Sequence, residues 1–434
     1  MKNIVNKLNP GLITFRIGVL LLASAPLFAA IFFLFSLIIS LLKEKLKIFQ
    51  DKWNYLFMTA GFLMVLNALI HQLKYKNLSI SSLTWYPSSS LIGLFNWIPL
   101  FLCFWGFQTY LNTFDKRKIT SKILMIGSFP VLVSGFGQYW FDWYGPIEAF
   151  NGLIVWYQTD KFEGLTGLFN NPNYTACWLN VIWPFSIVFL IEKTKTLLVK
   201  ASSLIFILSI GLAGVLTASR SGIGGLLLNI PLVLSPMNLG VIFTLISLSI
   251  GLILINILNI FPENINQILN SIFPANFDIF SHFFVSPDKV YGRDTILTFA
   301  IEMLSKSPIL GLGASSFPIY YFIKNNIYIG HAHNLILDIA FGYGVIVAIL
   351  VFINIFLLCF FSFRKIYLNN TKSKFDIYFE RSWWASFFVL LCSQMVDVQY
   401  YDGRISIAFW ILLSGLKCIL EEESKNMIYT NEQN

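Results

Sequence analysis

The chain has 434 residues, of which 56% are hydrophobic, 17% aromatic and only 12% charged, with a formal net charge of +8. So apolar a chain does not stay disordered, and a charged fraction about half the usual quarter is too small to cover a soluble enzyme. What remains is an all-α polytopic membrane protein of about twelve transmembrane helices, a single integral membrane domain over 1–434 with mostly helical extracytoplasmic segments.

Apolar runs of span length are predicted at 12–26, 28–42, 54–72, 92–111, 123–141, 173–191, 201–218, 221–236, 239–260, 335–361, 382–400 and 405–420. Pro26 supplies the break between the first two, and only Ser219 and Arg220 separate 201–218 from 221–236. The first run follows basic residues without a small-residue cleavage site, so it is expected to be a retained span. With the N-terminus placed in the cytoplasm, 20 of the 30 basic residues fall inside, 9 outside and Arg16 within the first span. That bias has the sign of the positive-inside rule and puts both termini in the cytoplasm. It also accounts for the +8 charge by orientation, with no nucleic-acid partner. The segments 142–172 and 261–334 then become extracytoplasmic loops. Within the second, 293–306 reads as an amphipathic helix with Ile296, Leu297, Ala300, Ile301, Met303 and Leu304 along one side. The five cysteines lie in apolar runs with no CxxC pair, so they read as small buried hydrophobes.

The polar residues left over gather on the outer face of this map. Arg220 sits in TASRSG (217–222), Arg293 in GRDT (292–295), and His331 and His333 in HAHN (331–334). GLTGLFNNPNY (164–174), with Asn171 and Asn173, leads into a span and reads first as a turn and helix start. Taken singly, each arginine is as readily a headgroup-anchoring charge, and each histidine more readily structural. Together they form an anion seat beside a base. Guanidinium groups match a diphosphate with charge-assisted bidentate hydrogen bonds, and a nearby imidazole can remove a hydroxyl proton at neutral pH. No DxD-like motif stands near them, which favours arginine over a metal as counter-charge and implies no cofactor. Asp338, on the same predicted helix as His333, is expected to cap or hydrogen-bond locally, or to orient the histidine or meet a sugar hydroxyl.

GLFNNPNYTA (167–176), TASRSGIGGLLL (217–228), GRDTILTFAIEMLSKSPILGLGASSF (292–317) and HAHNLILDIAFGYGVIVAIL (331–350) resemble the O-antigen ligase and O-antigen polymerase superfamily. The resemblance covers roughly 160–350, and His333-Asn334 with the spaced Gly344 is its most specific element. It implies a metal-independent glycosyltransferase of the bacterial plasma membrane. The donor would be an undecaprenyl-diphosphate-linked glycan, and the acceptor a glycan or lipid hydroxyl on the periplasmic side. Arg220 and Arg293 would engage the diphosphate and His333 the acceptor, with His331, Asn334, Asp338, Asn171 and Asn173 in support. Ligation, polymerisation and protein glycosylation stay open. A transporter of bicarbonate or another small solute is the alternative from a different class. It would place ionisable groups near mid-membrane, where these spans carry few.

Overall fold

The computed structural model describes residues 9–44, 48–158, 164–192, 196–234, 292–368 and 373–431. The chain opens with a helical hairpin, α1 (Pro10–Leu21) and α2 (Pro26–Glu44), followed by α3 (Lys52–Lys74). A small hairpin, β1 (Leu78–Ile80) and β2 (Leu83–Trp85), leads through α4 (Ser89–Gly93) to α5 (Ile98–Leu111). α6 (Phe114–Gly127) and α7 (Phe129–Phe141) follow, then a second antiparallel hairpin, β3 (Ile147–Ala149) and β4 (Ile154–Trp156). The central helices are α8 (Pro172–Ile191), α9 (Leu197–Leu216) and α10 (Arg220–Leu234). After them come α11 (Arg293–Leu304), α12 (Phe317–Asn325), α13 (Leu335–Tyr343), α14 (Val345–Phe363), α15 (Lys374–Ser393) and α16 (Gly403–Asn431).

Among the described residues eight helical stretches are long and apolar enough to cross a membrane, and α1 and α10 are shorter apolar helices. The expected span 239–260 and residues 261–291 of the following loop lie outside the described residues. α8 and α16 are the most enclosed of the spanning stretches, whereas α9 leaves Ile205 and Leu208 exposed on its outer side. A chain with its exposed faces so apolar is built for lipid, where every backbone group must bond within its own helix. Three tryptophans of the central helices, Trp178 and Trp383 buried and Trp183 half-buried, find a partner for the indole N–H. Trp178 donates to Ser128 Oγ at 2.9 Å, Trp183 to the Leu226 carbonyl at 3.1 Å and Trp383 to the Leu412 carbonyl at 2.9 Å. α8 and α10 approach closely because Gly222 meets Ala176: a Cβ on Gly222 would lie 2.4 Å from that methyl.

Three expected spans come out differently. The run 123–141 is split at Ser128 into α6 and α7, because Pro130 opens the second helix without an N–H to give the first. The run 335–361 is split at Gly344 (φ +94°, ψ 158°), a backbone region reserved for glycine, into α13 and α14. A Cβ there would lie 1.9 Å from the Ile309 carbonyl oxygen. The run 382–400 becomes α15 ending at Ser393, after which the polar stretch from Gln394 leaves the helix and its carbonyl accepts from Leu335 N at 2.9 Å.

Charge separates the two ends of the bundle. At one end Arg117 is fully buried against Glu422 (2.5 Å) and Glu380 (3.7 Å), and Lys118 pairs with Glu192 at 2.8 Å. Lys417 pairs there with Asp51 and, at 3.1 Å, with Glu421. The other end collects the starts of α8, α10, α13 and α16 and the finish of α15, and it carries the polar motifs. Gly344→Ala is expected to destabilise the protein by about 2 kcal/mol or more, read as a lower thermal midpoint in detergent. An unchanged midpoint would show that the break at 344 is not fixed by backbone geometry.

Candidate functional site

The segment 331–338 is shaped by its first residues. His333 takes a left-handed conformation (φ +51°), which turns the chain immediately before α13. Asn334 then caps that helix, its Oδ1 accepting from Leu337 N at 3.1 Å, while its Nδ2 donates to the Met395 carbonyl at 3.1 Å. The turn brings the His333 ring to the non-helical stretch after α15. There Nδ1 lies 2.9 Å from Asp397 Oδ1. Asp397 is itself surrounded by donors: Val398 N reaches Oδ1 at 3.0 Å and Gln399 Nε2 reaches Oδ2 at 3.3 Å. Burial works against its charge, but the His333 hydrogen bond and the two imidazoles outweigh burial and hold the carboxyl below its ordinary range. An ionised Asp397 can only accept, so the His333 nitrogen that faces it, Nδ1, donates, and in the neutral imidazole the lone pair is on Nε2. That is the orientation a general base requires.

His331 supports this arrangement. Its Nδ1 accepts the His333 backbone N–H at 3.2 Å, and the two rings stand edge to face with centroids 4.4 Å apart. Burial, then the neighbouring His333 charge, pushes its basicity down. Because Nδ1 accepts, the proton of neutral His331 sits on Nε2, 3.8 Å from Asp397 Oδ1. His331, His333 and Asp397 have ligand atoms within 4.8 Å of one another and so are the residues that could hold a metal. A divalent ion bound through His331 Nε2 would first have to displace that proton and break the contact to the His333 amide. The donor set therefore fits a proton-holding cluster better than a preformed metal site.

Asp338 does not orient His333. Its Oδ1 accepts from Ala332 N at 3.4 Å and its Oδ2 accepts from the Tyr401 hydroxyl. The expected helix-start asparagines hold a neighbouring turn. Asn171 caps α8 through Asn173 N at 2.8 Å, and Asn173 Oδ1 accepts from Ser219 Oγ at 2.7 Å, next to Arg220. Leu165 N also donates to the Leu216 carbonyl at 2.9 Å. The motifs 164–174 and 217–222 are thus one structural unit, and α15 joins it to the histidines, since Cys177 Sγ lies 3.4 Å from Ser393 Oγ.

Arg220 and Arg293 are both exposed and each is the first residue of a helix, α10 and α11 respectively. A cation is disfavoured there by the helix dipole, whereas an anion would meet both the guanidinium and free backbone N–H groups. α11 is tied to the histidine segment through Ile296, Phe299 and Ala300, which cluster with Phe317, Ala332 and Phe341. Arg404 serves differently. It is clamped to Asp402 at 2.5 Å, donates to the Leu168 carbonyl at 2.8 Å and lies 3.7 Å over the Phe169 ring, so its charge is already matched.

Two cavities flank Tyr401. One of about 540 Å³ lies against Asn170, Tyr174, Trp156 and the Arg404 clamp. The other, about 450 Å³, lies against His331, Asp338, Trp97 and Phe317. Asp397 and Tyr401 are not among the candidate residues read from the sequence. Both follow α15 by a few positions, but their partners are more than sixty residues away, and no local spacing announces such a contact.

His331 is expected to titrate below an ordinary histidine, as read by ¹⁵N-histidine NMR of the protein in nanodiscs, where only four histidines contribute. His333→Asn removes a like charge and is expected to raise that midpoint. Asp397→Asn removes an opposite charge and is expected to lower it further. A midpoint insensitive to both would dissolve the cluster.

No curated protein sequence matches the chain. A known family does: residues 204–353 match the O-antigen ligase family. The matched stretch contains Arg220, Arg293, His331, His333, Asn334 and Asp338, while Asn171, Asn173 and Asp397 fall outside it. Over residues 204–353, about a third of its length, the chain is thus similar to the O-antigen ligase family.

Proposed function

We propose that the protein transfers a glycan from a polyprenyl-diphosphate carrier to an acceptor hydroxyl at the outer face of the bacterial plasma membrane, with both termini in the cytoplasm. The observation that carries the reading is the His333–Asp397 hydrogen bond, which leaves a basic Nε2 on His333 at the end of the bundle where Arg220 opens α10. His333 Nε2 takes the proton of the acceptor hydroxyl as that oxygen bonds to the anomeric carbon. The bond from that carbon to the diphosphate oxygen breaks, and the electron pair leaves with the diphosphate. Arg220 and Arg293, at their helix N-termini, stabilise the charge that builds on it. The lipid tail stays in the bilayer throughout. The concentration of Lys and Arg at the opposite end supports the orientation.

Arg220→Ala, Arg293→Ala, His333→Ala and Asp397→Asn variants that still insert are each expected to lower transfer by about a hundredfold or more, measured on lipopolysaccharide and exopolysaccharide profiles. Arg→Lys at either position is expected to fail as well, because a point charge does not reproduce the planar fork. Wild-type profiles in all the alanine variants would sink the assignment. In the deletion strain, capped single-repeat chains identify a polymerase and accumulated lipid-linked polymer a ligase. Chelator-treated enzyme is expected to keep its turnover; a loss restored by a divalent ion would move the counter-charge from arginine to metal. Cysteines placed at 220 and 333 are expected to label from the periplasm, and cytoplasmic labelling of either would reverse the topology.

A further inference from the structure

Glycan transfer as proposed above needs two places, one for the charged donor and one for the neutral acceptor. The cavities on either side of Tyr401 differ in the way this requires. The larger is lined by Asn170 and Tyr174, in the α8 turn that Asn173 joins to Ser219 beside Arg220. Among the described residues the wall of the smaller, about 450 Å³, has no lysine or arginine and one carboxyl group, Asp338. Such a wall offers a diphosphate no guanidinium or ammonium counter-charge. It suits a sugar ring, whose hydroxyls donate to carboxylates and whose C–H faces lie on aromatic rings. Trp97 and Phe317 supply such rings, Asn96 an amide, and the volume is within the range of a small-ligand site.

Asp338 is set up to read hydroxyls. A carboxylate accepts about four hydrogen bonds, and two of its positions are taken, by Ala332 N and by the Tyr401 hydroxyl. The Tyr401 bond fixes the carboxylate at the cavity wall, and the phenol ring stands between this cavity and the larger one. His331 lines the same cavity, with its ring 4.4 Å from that of His333. A hydroxyl held here is one imidazole away from the proposed base.

We propose that this cavity is the acceptor subsite. It takes a neutral pyranose, with Asp338 and Tyr401 as specificity-determining residues. The acceptor role rests on the glycan-transfer reading, but occupancy by a sugar does not. The test is saturation-transfer NMR on the full chain in nanodiscs, with a panel of methyl pyranosides as probes and empty nanodiscs as the blank. At least one pyranoside is expected to bind. Asp338→Asn and Tyr401→Phe, which keep side-chain shape and hence the fold, are each expected to weaken it about tenfold or more. Inorganic pyrophosphate is expected not to compete. Three results overturn the proposal: no pyranoside binds, binding ignores both variants, or pyrophosphate displaces the sugar, which would make this the donor side. Sugar binding alongside wild-type glycan profiles in the alanine variants would leave the subsite standing and remove only the transfer reading.

Discussion

The hydrogen bond between His333 Nδ1 and Asp397 Oδ1 is the contact on which the rest of the site depends. It joins two segments that are far apart in the chain, and each segment is shaped to make it. His333 adopts a left-handed backbone and Asn334 caps α13 behind it. α15 stops at Ser393 so that Asp397 can sit in an irregular stretch whose own amides hold the carboxylate. Remove the carboxylate and His333 loses both its orientation and the reason its proton stays on Nδ1.

The bundle supplies the rigidity this contact needs. α8 is enclosed by its neighbours, and its first turn is tied to the α9–α10 junction through Asn173 and Ser219 and to α15 through Cys177 and Ser393. The far end is locked by Arg117 with Glu380 and Glu422, a buried charge that is destabilising unless all its partners are present. Charge is therefore spent in two ways at two ends. At one end buried arginine and lysine are held by carboxylates. At the other, two exposed arginines stand at helix N-termini that already favour an anion.

Much of this was legible in the sequence, and the rest has a physical reason for being hidden. The lipid-facing character followed from composition, and most helices from apolar runs. The helix start at Asn171 followed from capping chemistry, because a cap is local. The breaks at Ser128 and Gly344 were masked by uninterrupted hydrophobicity on both sides, although Pro130 and a glycine pressed against the Ile309 carbonyl enforce them. Asp397 stayed hidden because its partner lies 64 positions away and no periodicity encodes that pairing. Asp338 was the nearer carboxylate and so the more natural partner for His333 on paper. In the fold it faces Tyr401 instead, because the left-handed turn at His333 directs the imidazole toward the end of α15.

A double-mutant cycle on His333 and Asp397 tests the central claim most directly, with initial transfer rates measured on purified protein and a polyprenyl-diphosphate-linked donor. If Asp397 acts by holding His333, the double alanine variant is no slower than His333→Ala alone, because the carboxylate has nothing left to orient. Losses that multiply would show the two residues acting independently and would contradict the account.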